Sequence, residues 1–218
     1  MPIESGVGNL WAMHPIFWRW RFAGRRPERE EVREFIVRRM PRHGVVAEIG
    51  VDLGDFSEKI LALNRPRELH LIDPWTIESG EYRQRETAGA VTAAESARKL
   101  DSVARYDVVR DRFSSDIAGG SVVLHRANSE VAGAEFPDNF FDWVYIDGNH
   151  SYEFVQRDLE LYFRKLKPGG FIVCDDYHHA GFWDDGVTRA VDEFMASGRA
   201  RRIFKRRSQF VMRKHGHD

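Results

Sequence analysis

The chain has 218 residues, of which 42% are hydrophobic and 12% aromatic, so it holds enough apolar material for one sizeable core. Its 33 lysines and arginines nearly balance its 34 aspartates and glutamates, and the net charge of -1 argues against a dedicated nucleic-acid binder. The single cysteine, Cys174, excludes an internal disulfide, and arginines interrupt the aromatic N-terminal run, so we expect a soluble cytoplasmic protein with no targeting segment and no membrane partner.

Short apolar runs alternate with helix-length segments, a pattern typical of βαβ units and a parallel sheet. Residues 1–43 precede these runs and have helically spaced apolar residues near their end, which predicts an N-terminal helical cap. The strand candidates are Val45 to Ile49, Leu69 to Ile72, Val122 to Leu124, Trp143 to Ile146, Phe171 to Cys174, Arg202 to Phe204 and Phe210 to Met212. They predict that residues 44–218 form a doubly wound, seven-stranded α/β sheet, parallel except for the last two strands.

Two features between the strands can be predicted. Amphipathic helices are expected before the turn Lys167-Pro-Gly-Gly170 and before Gly198, because apolar residues recur there at helical spacing. The interval from Asp73 to Val122 is longer than one crossover helix requires. We therefore expect residues 75–95 to contain an inserted loop or lid.

The first strand runs into a turn that carries Gly50 and Gly54, where backbone can approach a ligand closely. A dinucleotide fingerprint would have glycine at position 52, where this chain has Asp52. Together with Glu48 and Asp55, that carboxylate would repel a pyrophosphate. The acids favour a cofactor with a positive charge and no phosphate, such as S-adenosylmethionine, although a plain strand-to-helix turn is the alternative.

The second strand ends in Asp73, about 20 residues past the glycines, where an acidic residue accepts hydrogen bonds from ribose hydroxyls. The alternative for Asp73 is a helix cap or an Asx turn before Pro74. The first reading agrees with the cofactor site that the glycine turn predicts.

Two later strands end in acid, the first in Asp147 and the second in Asp175 and Asp176. Strand ends in a doubly wound sheet face one crevice, so these three carboxylates should converge. Clustered carboxylates need a cation, and oxygen ligands suit Mg²⁺ or Mn²⁺ rather than zinc. The alternative is that the acids cap helices or meet arginines of the cap.

Four segments together, EIGVDLG, LIDPW, YIDGNHSYE and LKPGGFIVCDDY, resemble the class I S-adenosylmethionine-dependent methyltransferases. The likeness covers residues 45–213 and is greatest to the metal-dependent small-molecule O-methyltransferases related to the macrocin and mycinamicin sugar methyltransferases. It implies a Rossmann-like fold, S-adenosylmethionine and Mg²⁺ or Mn²⁺ as cofactors, and a small-molecule hydroxyl acceptor of the sugar or phenolic type.

The resemblance also implies roles for individual residues. The residues that would contact the cofactor are Glu48, Gly50 and Gly54 at the methionine part, Asp73 at the ribose, and Asn128 and Ser129 at the adenine. The unit Asp147-Gly-Asn-His150 would supply a metal ligand and the general base, and Asp175 and Asp176 would complete the metal site. Such a base removes the proton that makes an alcohol a poor nucleophile. The alternative for His150 is a helix cap.

The role of the aromatic N-terminus is open. Trp11, Phe17, Trp18 and Trp20, with Trp183, could form a wall over the acceptor, a homo-oligomer surface or part of the cap core. Two other functions also remain at this point. One is a nicotinamide-dependent oxidoreductase, which Asp52 and the converging acids oppose, and the other is a noncatalytic or RNA-directed member of the methyltransferase fold.

Overall fold

The computed structural model describes residues 24, 26–76, 102–179 and 184–216. The cap residues Trp11, Phe17, Trp18 and Trp20, and also Trp183, lie outside this part of the chain. So does all of the expected 75–95 insertion except Trp75 and Thr76.

The described residues form helices on both sides of one sheet. The strands are β1 (Val45–Ile49), β2 (Glu68–Ile72), β3 (Val122–His125), β4 (Phe141–Ile146), β5 (Leu166–Cys174), β6 (Ala200–Arg206) and β7 (Gln209–Lys214). The helices are α1 (Arg29–Val37), α2 (Asp55–Asn64), α3 (Ser102–Arg112), α4 (Ser114–Ala118), α5 (Ser129–Glu135), α6 (Tyr152–Lys165) and α7 (Gly186–Ala196). Among these helices, none has the length and apolar character that a membrane crossing would require.

The strand order is β3-β2-β1-β4-β5-β7-β6. The first five strands are parallel, and β7 runs antiparallel to both β5 and β6. This confirms the predicted seven-stranded, doubly wound sheet. The chain reverses its direction of travel between β1 and β4, and in such sheets ligands bind outside the carboxyl ends of the strands at that reversal.

Helix α1 belongs to the same core as the sheet. Its Val32 and Ile36 are fully buried and pack in one apolar cluster with Val46 of β1 and Val173 of β5. The buried Asn64 amide, at the end of α2, donates hydrogen bonds to the carbonyls of Val37 (3.2 Å) and Met40 (3.0 Å). These contacts fix α1, and therefore the polar side chains on its other face, against the sheet.

Strand β5 begins earlier than predicted. The stretch Lys167-Pro-Gly-Gly170 was expected to be a turn ahead of the strand, but β5 already starts at Leu166. The pairing with β4 shifts register between Phe141 and Trp143, so the extra residues of β5 form an irregularity in the ladder. Proline and glycine are typical of such bulges, because one lacks an N–H group and the other a side chain.

A pair of histidines, one buried and one partly buried, joins β2 to β3. The Nδ1 atom of His70 lies 2.9 Å from Nε2 of His125, and the His70 ring packs edge-on against Phe136 and Phe141. Burial and the adjacent His125 lower the pKa of His70 to about 4, although Glu68 opposes the shift. Burial also lowers the pKa of His125 against the charge of Glu135.

We expect acidification from pH 7 to 5 to reduce the free energy of unfolding through His70 by about 2 kcal/mol. The unfolded chain takes up this proton at an ordinary histidine pKa of about 6.5, whereas the folded chain resists it down to about 4. The contribution of neutral His70 to the free energy of unfolding is therefore complete above about pH 6.5 and is lost as the pH falls. Urea unfolding at both pH values measures it.

The matched variants are His70→Gln, which removes the buried titrating group, and His215→Gln, which removes an exposed histidine. We expect His70→Gln to flatten the pH dependence and His215→Gln to retain it. The same pH dependence in His70→Gln as in the unmodified chain would contradict the assignment.

Candidate active site

A cavity of about 670 Å³ opens at the carboxyl ends of β1, β2 and β4. This volume is in the range of pockets that hold a cofactor or small molecule. Its wall brings together seven of the predicted site residues: Glu48, Gly50, Asp73, Asn128, Ser129, Asp147 and His150. Gly54, Asp175 and Asp176 are not part of this wall.

The two glycines of the turn serve different contacts. Gly50 has a φ of 84°, and a Cβ atom there would lie 2.2 Å from the carbonyl oxygen of Asp147. Only glycine therefore lets the ends of β1 and β4 come this close. Gly54 has a φ of 81° and caps α2, where a Cβ atom would lie 2.7 Å from the Phe113 ring. Gly54 therefore packs against the segment after α3, and its predicted contact with the cofactor stays a prediction.

Asp73 holds the glycine turn in place. Its Oδ2 atom accepts hydrogen bonds from the backbone N–H groups of Val51 (2.8 Å) and Asp52 (3.1 Å). Its Oδ1 atom accepts one from the N–H of Trp75 at 2.6 Å, which is the Asx turn considered as the alternative. Asp73 also lines the cavity, so the structural role and a position facing a ligand coexist.

Glu48 is a buried carboxyl in the cavity wall. It is 1% exposed and accepts a hydrogen bond from the Ser57 hydroxyl. Burial raises its pKa to about 8, with further increases from the charges of Asp147 and Asp73, against the effects of Ser57 and Arg33. The carboxyl is therefore largely protonated at neutral pH, and a cation bound nearby would favour its ionised form.

Asp52 contributes less negative charge to the turn than the sequence predicts. It forms an ion pair with Arg105 of α3, and its side chain is 47% exposed. The preference for a positively charged ligand therefore depends on Glu48 rather than on Asp52.

A second buried acid, Asp158, was not predicted as a site residue. It lies on α6, accepts a hydrogen bond from the Ser129 hydroxyl and lines the cavity beside Asn128. Burial raises its pKa to about 7 against the hydrogen bond from Ser129, which lowers it. The available signal was its position three residues after Val155, on the apolar face of a predicted helix.

The acids Asp147, Asp175 and Asp176 converge at the ends of β4 and β5, as predicted, but they meet arginines. Arg29 lies 2.7 Å from Asp175 and 3.1 Å from Asp176, and Arg33 lies 3.0 Å from Asp147. In the described ranges, no group of three or more His, Cys, Asp or Glu side chains is arranged to hold a metal ion. The predicted Mg²⁺ or Mn²⁺ site is therefore not supported, and the alternative of arginines from the cap describes this cluster.

His150 faces these acids from the loop before α6. Its Nε2 atom lies 3.5 Å from Asp147 Oδ1 and 3.3 Å from Asp176 Oδ2. The residue at the N-cap of α6 is Ser151, not His150. Burial lowers the pKa of His150, but the hydrogen bond with Asp147 and the surrounding carboxylates raise it more, so the net shift is upward.

The close approach at Gly50 can be tested with Gly50→Ala and the control Gly120→Ala. Both glycines have positive φ values, but a Cβ atom at Gly120 meets nothing within 4 Å. We expect Gly120→Ala to lose about 1–2 kcal/mol of stability from backbone strain alone. Gly50→Ala should lose about 1–3 kcal/mol more, because the strand ends must separate. Equal losses in urea unfolding would contradict the close contact.

A family model described as a methyltransferase domain matches residues 47–177, more than half of the chain. The chain is also 37% identical over 82 residues to the uncharacterized protein R132 of Acanthamoeba polyphaga mimivirus. That match spans 35% of this chain and 37% of the viral protein.

Two solved structures show the same fold. The O-methyltransferase NovP has a TM-score of 0.56 and 20% identity, with 86% of this chain and 79% of that chain covered. The O-methyltransferase from Bacillus cereus in complex with SAH has a TM-score of 0.54 and 13% identity. The match covers 90% of this chain and 85% of that chain. From the extent of the family match, the chain belongs to the methyltransferase domain family.

Proposed function

We propose that the chain transfers the methyl group of S-adenosylmethionine to a hydroxyl group of a small molecule, of the sugar or phenolic type, with His150 as the general base. One observation carries the proposal: a single cavity is lined both by five of the six residues predicted to bind the cofactor and by His150. The family match supports methyl transfer rather than the oxidoreductase alternative.

The cofactor side of the proposal depends on charge and shape. Glu48 offers a carboxyl that gains from a nearby cation, and the sulfonium of S-adenosylmethionine is such a cation. Asp73 lines the cavity and accepts three hydrogen bonds from backbone N–H groups, and a carboxylate accepts about four, so it can also accept one from a ribose hydroxyl. The Bacillus cereus neighbour in complex with SAH, the demethylated product S-adenosylhomocysteine, supports this cofactor.

The chemical step requires a deprotonated hydroxyl. His150 takes the hydroxyl proton, the oxygen forms a bond to the methyl carbon, and the bond from that carbon to sulfur breaks in line. The cofactor leaves as neutral S-adenosylhomocysteine, and the proton stays on His150, where Asp147 and Asp176 stabilise the cation. No step uses a divalent metal, because the acids that would bind it contact Arg29 and Arg33.

The raised pKa of Glu48 leads us to expect that cofactor binding releases a proton. At pH 7 the sulfonium should ionise the Glu48 carboxyl, so each bound S-adenosylmethionine releases up to about one proton. S-adenosylhomocysteine has no sulfonium, so its binding should release fewer protons. Calorimetry in two buffers of different ionisation enthalpy measures the difference, which Glu48→Gln should abolish. If neither cofactor form bound, the proposed function would fail.

If His150 is the general base, the rate of methyl transfer should depend on pH and should fall strongly when His150 is substituted. The rate should rise with pH through a midpoint above about 6.5, because the imidazole must be neutral and its pKa is raised. His150→Gln should slow turnover about 10² to 10⁴-fold with unchanged affinity for S-adenosylhomocysteine. The assay is methyl transfer to a panel of sugar and phenol hydroxyls.

The matched control is His179→Gln, because His179 is exposed and lies 3.9 Å from the same Asp176. It should retain turnover and the pH profile of the unmodified chain. Near-normal turnover in His150→Gln, on an acceptor that the unmodified chain methylates, would rule out His150 as the base.

A further inference from the structure

Two arginines of α1 supply the positive charge at the carboxylates that end β4 and β5. Arg29 and Arg33 are four residues apart, so they lie on one face of the helix. The neighbouring face buries Val32 and Ile36 in the core, which fixes the direction of both arginines. The packing of α1 on the sheet therefore positions both guanidinium groups.

Asp175 has no remaining capacity for another ligand. Its two oxygens accept hydrogen bonds from four donors: Asp176 N (2.7 Å), Ser208 Oγ (3.3 Å), Gln209 Nε2 and Arg29 Nη2 (2.7 Å). The Tyr145 hydroxyl lies 3.0 Å away, but its single proton is also within reach of Gln209 Oε1 at 2.9 Å. A carboxylate accepts about four such bonds. A metal ion at Asp175 would have to displace these donors.

Arg33 is the more buried of the two cations. Its side chain is 11% exposed, and its Nη2 atom lies 3.0 Å from Asp147 and 3.6 Å from Asp175. The guanidinium carbon lies 3.8 Å from the centre of the Phe56 ring, and Glu30 accepts from its Nη1 atom. A planar guanidinium can stack on a ring and bind two carboxylates together, which an ammonium cannot do equally well.

The pKa of Asp175 agrees with this arrangement. Burial alone would raise it, but Arg33 and Arg29 lower it below the ordinary value of an aspartate. The two guanidinium groups also carry together the same total charge as one divalent cation.

We propose that Arg29 and Arg33 replace the divalent cation at Asp147, Asp175 and Asp176, so that the site is organised without Mg²⁺ or Mn²⁺. This inference rests on the proposed function. In it, Arg33 is a positioning residue: it holds Asp147, and Asp147 in turn holds the His150 ring. Metal binding should appear only when positive charge is removed from these acids.

The test is a Mn²⁺ titration of the EDTA-treated full chain with S-adenosylhomocysteine present, followed by the loss of the free Mn²⁺ signal in electron paramagnetic resonance. Thermal unfolding with and without Mg²⁺ is the second readout. The variant Arg29→Met/Arg33→Met removes the cations from the acids. The control Arg38→Met/Arg39→Met removes two charges from the same end of the chain, where Arg38 pairs with Glu34 and Arg39 lies over Phe35.

We expect the unmodified chain and the control to bind no Mn²⁺ and to keep their melting temperatures. The Arg29→Met/Arg33→Met variant should bind Mn²⁺ and gain about 5 °C or more when the metal is 100-fold above its dissociation constant. If that variant does not fold, Arg29→Met alone takes its place, because the Arg29 side chain is 45% exposed. The conservative variant Arg33→Lys, which retains the charge, should remain unable to bind the metal.

Two results would overturn the inference. One is Mn²⁺ binding by the unmodified chain that Asp175→Asn abolishes. The other is a folded Arg29→Met/Arg33→Met variant, or the Arg29→Met variant used in its place, that still binds no Mn²⁺. Calorimetry with S-adenosylhomocysteine in EDTA distinguishes failure of this inference from failure of the proposed function. If S-adenosylhomocysteine does not bind, the proposed function is refuted. The Mn²⁺ results test the role of the two arginines whether or not it binds.

Discussion

The backbone contact between Gly50 and Asp147 determines where the cavity lies. The Asp147 N–H group donates to the carbonyl of Ile49 at 2.8 Å, so the ends of β1 and β4 are held together as well as packed together. The helices that follow these two strands, α2 and α6, pack in separate apolar clusters on opposite faces of the sheet. A side chain at position 50 would therefore move both walls of the cavity at once.

Buried carboxyl groups have two different charge states around this crevice. Glu48 hydrogen-bonds to the neutral hydroxyl of Ser57, and burial raises its pKa to about 8. Asp175 is as deeply buried, yet its contacts with guanidinium groups lower its pKa. The nature of the nearest donor, rather than the depth of burial, decides which carboxyl is charged. Glu48, in the cavity wall, is therefore largely neutral, whereas Asp175, beside the acids that contact His150, is ionised.

The sequence was a good guide to the sheet because parallel strands buried on both faces are nearly continuous apolar runs. The convergence of the acids followed from topology alone. The contact of Gly54 with Phe113 could not be foreseen, since a glycine pattern does not tell ligand contact from packing. Arginines of the cap were the alternative partners of these acids, but Arg29 and Arg33 could not be singled out because they lie more than 100 residues before their partners. Asp158 was visible only as an acid among helically spaced apolar residues.

The pairing of Arg33 with Asp147 also limits how relatives of this chain can diverge. The two residues are 114 positions apart, yet loss of either one removes the nearest counter-charge of the other. Breaking such a pair costs about 3–5 kcal/mol, a large part of the net stability of a domain. Single substitutions at these positions should therefore be purged by selection. Lineages would change the first helix and the end of the fourth strand together, so the two sites should covary.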